Sequence, residues 1–180
     1  MTAYDKIYDV AIGNYGIITS AEAKAIGIRN TTLVQLAARN RLERLGYGVY
    51  RIDKYVPHAE GLDVYACAIA RVGRGAYLWG PSVLALYHLC PTNPTRIYVA
   101  SPQRCRAKLP QGIVLKKGCP SDRVEHYEGL AVQTVADAIL ASQHLIMLDR
   151  LLDAVQQGLA HGLLTDAEAK GLVKELYKND

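Results

Sequence analysis

Arginine and glutamine side chains between residues 29 and 51 are of the types that contact a polyanion. Arginine carries a permanent positive charge that pairs with phosphate, and glutamine carries a donor and an acceptor that match the edge of adenine. The interval holds five arginines against one acidic residue, Glu43, so its net charge is +4, equal to that of the whole chain. The arginines are Arg29, Arg39, Arg41, Arg44 and Arg51. This composition predicts a surface that binds a polyanion.

Two short helices are predicted to position the first of these side chains. Thr19 and Glu22 have the spacing of a capping box, which marks the start of a helix, and Gly27 is placed to end that helix. After a tight turn, a second helix is predicted from about Thr31 to Asn40. The pattern is that of a helix-turn-helix.

The second helix has two faces of different character. Leu33, Leu36 and Ala37 share one side at about 100° per residue and predict a face that packs on a core. The other side and its flanks carry small, polar or basic residues: Thr31, Thr32, Gln35, Ala38 and Arg39. Such a face suits a helix that lies in the major groove of DNA.

A β-hairpin is predicted to follow from Leu42 to Ile52. Gly46 and Gly48 flank Tyr47 and permit positive φ at the tip, and the residues on either side are strand formers. Helix, turn, helix and hairpin together predict a winged helix-turn-helix. The residues expected to contact DNA are Arg29, Asn30, Thr31, Thr32, Gln35, Arg39, Arg41, Arg44, Tyr47 and Arg51. The alternative is a helical pair that only packs against the rest of the chain.

The chain is predicted to contain two domains of the α+β class. Residues 1–52, which include a first helix from Ala3 to Asn14, form the winged domain, and residues 53–60 read as a linker because they contain Pro57 and no periodicity. Residues 61–180 mix strands and helices without a regular βαβ alternation, which predicts a larger α+β domain.

A second basic patch is expected in the larger domain. Residues 96–123 carry seven basic side chains against Asp122 alone, whereas residues 124–180 carry four basic and nine acidic ones. The loop with Arg104, Arg106 and Lys108 lies within the basic segment. These side chains extend a DNA contact or meet an acidic partner, and the sequence leaves both interpretations open.

Other functional classes find little support in the sequence. The chain has no run of about 18 apolar residues, which predicts no transmembrane helix, and its charged N-terminus fits no signal peptide. The four cysteines and five histidines lack the spacing of a metal site, and no phosphate-binding glycine motif occurs. We therefore expect no metal or cofactor and a cytoplasmic protein with reduced thiols.

One short pattern resembles catalytic chemistry. Glu168 and Lys170, with Asp166 nearby, have the spacing of the E-x-K element of restriction-type nucleases. The same Ala-Glu-Ala-Lys string occurs at residues 21–24, and both copies follow a threonine that can cap a helix. Helix capping therefore explains the pattern, and we predict that the protein is not an enzyme.

The chain resembles the AbiEi-type antitoxins of type IV toxin–antitoxin (abortive infection) systems. Residues 15–52 resemble their N-terminal winged helix, and Gly46 to Tyr50 resembles their G-x-G-x-Y wing. In the second domain, the resemblance is carried by residues 80–89, residues 96–100 with the following Pro102, and residues 132–138.

The resemblance implies a transcriptional autorepressor. The winged domain would bind double-stranded DNA at inverted repeats in its own promoter. The second domain would oppose a toxin resembling a nucleotidyltransferase, with or without stable direct contact, and no catalysis is implied for this chain. Two alternatives remain: a protein-interaction module whose helical N-terminal unit does not bind DNA, and a transcription regulator without a toxin partner.

Overall fold

The computed structural model describes residues 1–56, 61–90 and 95–178 of the 180-residue chain. Contacts within the chain divide it into two compact units. The first contains Met1–Arg74 together with Cys105–Leu109, and the second contains Gly75–Arg104 and Pro110–Asp180. Helices and a sheet occur in both units, which confirms the predicted α+β class and the position of the smaller sheet near the N-terminus.

Helices surround a small antiparallel sheet in the first unit. Its elements are α1 (Ala3–Ile12), β1 (Ile17–Thr19), α2 (Ser20–Ala25), α3 (Asn30–Ala38), β2 (Leu42–Gly46), β3 (Val49–Ile52) and α4 (Leu62–Val72). The strand order is β1-β3-β2, so the hairpin β2–β3 gains a third strand from the segment before α2. Strand β1 was not predicted, since three residues are too few to show an alternating pattern.

Capping boxes begin the first two helices. The Thr19 hydroxyl accepts the Glu22 N–H at 3.2 Å, and the Glu22 carboxylate accepts the Thr19 N–H at 2.7 Å. Thr2 and Asp5 form the same pair at the start of α1. The pKa of the Asp5 carboxyl lies below its usual value, mainly because the Thr2 N–H and hydroxyl bond to it. The start of α2 predicted from Thr19 and Glu22 is confirmed.

Helices α2 and α3 end in the same way. At the end of α2, Gly27 adopts a left-handed φ of 78°, and the Ile28 N–H reaches back to the Ala23 carbonyl at 2.8 Å. At the end of α3, Asn40 takes the left-handed conformation with φ 54°, and the Arg41 N–H reaches the Leu36 carbonyl at 2.9 Å. Both ends are Schellman motifs, which satisfy carbonyl groups that a bare helix end would leave unpaired.

One hydrophobic core holds the helices of this unit on the sheet. It is formed by the buried side chains Ile7, Ala11, Ile18, Ala23, Ile28, Leu33, Leu42, Tyr50 and Ile52. Helix α3 contributes Leu33, which is fully buried, with Leu36 and Ala37 partly buried beside it. The predicted inner face of the second helix is therefore confirmed.

The second unit is a mixed sheet with helices. Its elements are β4 (Tyr77–Leu78), α5 (Pro81–Leu86), β5 (Ile97–Ser101), β6 (Ile113–Lys117), β7 (Val124–Tyr127), β8 (Leu130–Gln133), α6 (Val135–Ala141), α7 (Leu148–Ala160) and α8 (Asp166–Lys178). The strand order is β6-β5-β4-β8-β7, with parallel pairs β5–β6 and β4–β8. Within the described residues, none of the helices combines the length and the apolar character of a bilayer span.

Helix α4 lies in the first unit, although the sequence analysis assigned residues 61–180 to the second domain. The guanidinium of Arg51 on β3 donates to the Asp63 carboxylate on α4, with 3.4 Å between nitrogen and oxygen. A Cβ at Gly46 of β2 would lie 3.6 Å from the Arg71 side chain of α4. These contacts attach α4 to the hairpin. Residues 57–60 of the predicted linker lie outside the described residues, so the linker stays a prediction.

We expect the two faces of α3 to respond very differently to truncation. Leu33→Ala should lower the free energy of unfolding by about 2–5 kcal/mol, because it leaves a cavity in the core. Val34→Ala, the neighbouring exposed position, should change it by less than about 0.5 kcal/mol. Urea unfolding followed by far-UV circular dichroism measures both. Equal effects of the two substitutions would mean that α3 is not seated on the core through Leu33.

Candidate nucleic-acid interface

The outer face of α3 is a stripe of exposed small and polar side chains. Thr31, Val34, Gln35 and Ala38 are exposed and follow one another at intervals of three and one residues, which places them on one side of the helix. The buried Leu33 lies on the opposite side. The stripe can present hydrogen-bonding and apolar groups together to one ligand surface, and its small side chains allow close approach.

Val34 is the member of this stripe that sequence reasoning missed. Half of its surface is exposed, although valine is apolar. The signal was available, because on a helical wheel Val34 lies beside Ala38 and Thr31. An exposed aliphatic side chain among polar ones can contact an apolar group such as the methyl of thymine.

The start of α3 carries further predicted residues. Arg29 and Asn30 are exposed, and the Ser20 hydroxyl of α2 donates to the Asn30 side-chain oxygen at 3.1 Å. This bond holds the two helices together at the point where α3 begins. Thr32 is only partly exposed, so it stands at the edge of the outer face.

Basic side chains continue past the end of α3. Arg39 and Arg41 are exposed, and the Arg41 guanidinium lies 4.0 Å from the centre of the Tyr4 ring of α1. This cation–π contact fixes the direction of Arg41, whose charge also acts on the Asp5 carboxyl of α1. The Schellman motif at Asn40 places Arg41 just past the helix end, beyond the outer stripe.

The hairpin exposes two more of the predicted residues. Arg44 on β2 is exposed, and its Nε donates to the Gly46 carbonyl at 3.4 Å across a β-bulge. Tyr47 at the tip is 83% exposed. Gly48 follows with φ 67°, the left-handed conformation that the sequence predicted for the tip. The hairpin thus ends in an unburied aromatic ring with a cation beside it.

Arg51 differs from the other arginines of this region. Its side chain is only 23% exposed, its partner Asp63 is 18% exposed, and its Nε is buried without a hydrogen-bond partner. The positive charge of Arg51 is paired with the Asp63 carboxylate, and this ion pair joins β3 to α4. Arg51 is therefore not one of the outward-facing cations, although the sequence analysis placed it among the residues expected to contact DNA.

The nuclease-like pattern in the second unit is explained by helix capping. The Glu168 carboxylate accepts the N–H and the hydroxyl of Thr165, at 3.0 and 2.9 Å, and the Arg123 guanidinium at 3.3 Å. The bonds from Thr165 and then Arg123 lower the pKa of Glu168. In the described part of the chain, no three histidine, cysteine or acidic side chains come together as a group that could hold a metal ion.

A pocket in the second unit has its polar groups bonded to one another. The pocket measures about 320 Å³ and its lining includes Tyr77, Cys119 and Asp122. The Asp122 carboxylate accepts the Tyr77 hydroxyl, the Cys119 N–H at 3.0 Å and the Gln133 side-chain amide at 3.2 Å. Burial and then the bond to Asp122 raise the pKa of Tyr77. This network fixes the turn before β7 and gives the pocket a structural explanation.

Comparison with known proteins bears on the first unit. Residues 5–52 match the model of a family described as transcriptional regulators, AbiEi antitoxin. The resemblance predicted from the sequence is confirmed over these residues. They contain most of α1, the whole of α2 and α3 and the hairpin, including every residue of the outer face of α3. The matched family is one of regulators.

The remaining comparisons add little. No curated protein matches the chain. A crystal structure of the RV2827C protein from Mycobacterium tuberculosis is similar over 97% of this chain and 81% of that one, with 13% sequence identity and a TM-score of 0.38. At that TM-score the similarity supports no conclusion about this chain.

Proposed function

We propose that the protein is a sequence-specific DNA-binding autorepressor and the antitoxin of a type IV toxin–antitoxin system. The first unit would act as a winged helix-turn-helix on double-stranded DNA, at inverted repeats in the protein's own promoter. The observation that carries this proposal is the exposed stripe of α3, which lies within the residues that match the AbiEi regulator family. Such a regulator acts in the cytoplasm.

The order and pairing of the elements support the winged interpretation. Helix α3 follows α2 after a short turn, and the hairpin β2–β3 follows α3, which is the arrangement in which the second helix enters the major groove. The apolar side of α3 is used by the core, so the stripe of Thr31, Val34, Gln35 and Ala38 is the side left for bases. Gln35 suits adenine and Val34 suits the methyl of thymine.

The surrounding cations support contact with phosphates. Arg29 lies at the start of α3, Arg39 and Arg41 lie at its end, and Arg44 lies on the hairpin, and all four are exposed. Phosphate contacts fix the position of a protein on DNA and carry no sequence information, whereas contacts to base edges do. We assign these arginines to phosphates, together with the tip residue Tyr47, and the α3 stripe to bases.

The antitoxin part of the proposal rests on the family resemblance. In that family the partner is a toxin resembling a nucleotidyltransferase, and we assign the opposing role to the second unit. The alternative is a protein-interaction module in which the same exposed stripe docks another protein. Specific binding to a duplex favours the proposal, because a docking helix has no reason to discriminate base sequences.

Gln35→Ala should weaken binding to the cognate duplex by about 1–3 kcal/mol and leave binding to a scrambled duplex nearly unchanged. The cognate duplex is selected from the region upstream of the protein's own gene by gel shift. Gln156→Ala provides a matched control, since Gln156 is also exposed on a helix but lies in the second unit. Equal losses on both duplexes would remove Gln35 from base contact, and no binding to any upstream duplex would overturn the proposal.

Arg44→Ala should weaken binding to any duplex and reduce the slope of log K against log salt concentration by about 0.9, the value of one phosphate contact. Arg51→Ala is the contrasting variant. It should leave the slope unchanged and lower the free energy of unfolding, because Asp63 loses its partner. Titration of one non-specific duplex at several salt concentrations measures both. A reduced slope for Arg51→Ala alone would reverse the two assignments.

Loss of DNA binding should leave the antitoxin activity intact. The full-length variant Arg29→Ala/Gln35→Ala, expressed from an unrelated promoter, should rescue growth as well as the wild type in cells that produce the nucleotidyltransferase-like protein of the same operon. Failure of a folded variant to rescue growth would place the antitoxin activity on α3. An operon without such a gene would favour a regulator that has no toxin partner.

A further inference from the structure

The middle of the sequence carries positive charge without any acidic residue. From residue 64 to residue 121 there is neither aspartate nor glutamate, whereas eight arginines and lysines occur. They are Arg71, Arg74, Arg96, Arg104, Arg106, Lys108, Lys116 and Lys117. A long interval of one sign has no countercharge nearby in the sequence, so its cations depend on solvent, on carboxylates from distant parts of the chain or on a partner.

Part of this interval belongs to the first unit. The chain leaves the second unit after Arg104, joins the first unit over Cys105–Leu109, and returns to the second unit at Pro110. We call residues 105–109 the basic strap. Arg106 and Lys108 are therefore carried by the same compact unit as α3 and the hairpin, although they lie more than fifty residues further along the chain.

Burial alternates along the strap. Cys105, Ala107 and Leu109 are partly buried, whereas Arg106 and Lys108 between them are exposed. An alternation of this kind seats the small and apolar side chains inward and turns the cations outward. The chain bends at Ala107, between the two cations, and both side chains are exposed to solvent.

The two cations are not used inside the protein. Among the described residues, neither Arg106 nor Lys108 takes part in an ion pair or a hydrogen bond. Arg51 and Arg123 differ, because each is neutralised by carboxylates of its own unit. Exposed charges are often merely solvated. Solvation of the two cations does not by itself explain why the side chains beside them are partly buried, or why the strap belongs to the unit that carries α3.

We propose that Arg106 and Lys108 are a second phosphate-binding element, which contacts the backbone of the same DNA duplex that α3 engages. This inference rests on the proposed DNA-binding function. The strap adds two contacts that bind any base sequence, in addition to those of Arg29, Arg39, Arg41 and Arg44. Its role is to strengthen and orient binding, because contacts to phosphates position a protein without selecting a sequence.

An acidic protein is the rival partner for the strap. The observations favour DNA because the strap belongs to the unit that also carries the exposed Arg29, Arg39 and Arg41 at the two ends of α3 and the exposed Arg44 on the hairpin. A DNA contact can also be tested directly by salt dependence. Each phosphate that the protein neutralises releases counterions and changes the slope of log K against log salt by about 0.9. One outcome of the experiment therefore counts against DNA and leaves an acidic protein as a possible partner of the strap.

The test compares full-length variants on one non-specific duplex over a series of salt concentrations. Arg106→Gln/Lys108→Gln should reduce the slope of log K against log salt by about 1.8, the value of two phosphate contacts. The charge-retaining variant Arg106→Lys/Lys108→Arg should keep the wild-type slope. Lys170→Gln/Lys174→Gln removes two exposed charges from α8 of the second unit and should also keep it. Circular dichroism verifies that every variant is folded.

The outcomes separate the strap from the wider proposal. If the wild type binds no duplex, both fail. If Arg44→Ala reduces the slope while the glutamine variant of the strap retains it, DNA binding stands and the strap contact is overturned, which leaves solvent or an acidic protein around its two cations. If the α8 variant reduces the slope as much as the strap variant, net charge explains the effect and the strap contact is again overturned.

Discussion

The Ile28 N–H closes on the Ala23 carbonyl at 2.8 Å across a left-handed Gly27, and this hydrogen bond sets the angle between α2 and α3. A side chain at Gly27 would meet no other atom, so the requirement is for the backbone conformation alone. The turn delivers Ile28 to the core and lets Leu33 follow it there. Once Leu33 is buried, the opposite side of the same helix must face outward, so the direction of Gln35 is fixed by a turn eight residues earlier.

Polar contacts decide which cations of the first unit remain available. Arg51 is held by Asp63 and Arg41 by the Tyr4 ring, whereas Arg44 bonds, within the part of the chain that the structure describes, only to a neighbouring carbonyl. The three residues are alike in sequence and differ entirely in environment. A charged side chain with an internal carboxylate partner contributes to the fold, and one without such a partner keeps its charge for a ligand. The set of cations that the first unit can offer to a ligand therefore depends both on the ion pair that neutralises Arg51 and on the exposure of the other arginines.

Local patterns in the sequence were enough to predict the parts of the fold that local interactions determine. The capping box of Thr19 and Glu22 and the apolar face around Leu33 involve residues within four positions of each other, and both are present. Strand β1 escaped prediction because it is only three residues long and its partner β3 lies thirty or more residues away. The ion pair of Arg51 was not anticipated either, since Asp63 lies on a helix that was assigned to another domain. Val34 was overlooked, although its place on the helical wheel beside Thr31 and Ala38 follows from the sequence. Residues 105–109 belong to the first unit through contacts with distant parts of the chain. The periodicity of apolar residues in the sequence cannot predict such contacts.

The first unit is discontinuous in sequence, because it extends to Arg74 and is completed by residues 105–109. The family match stops at residue 52, so the recognisable segment is shorter than the physical body that contains it. A unit made of two separate stretches of sequence cannot be exchanged between genes by recombination at one junction. A crossover after residue 52 would separate the hairpin from the helix that neutralises Arg51, and one after Arg74 would leave the strap behind. Under the proposed function, operator specificity is therefore expected to diverge by point substitution on α3 and not by exchange of the whole unit.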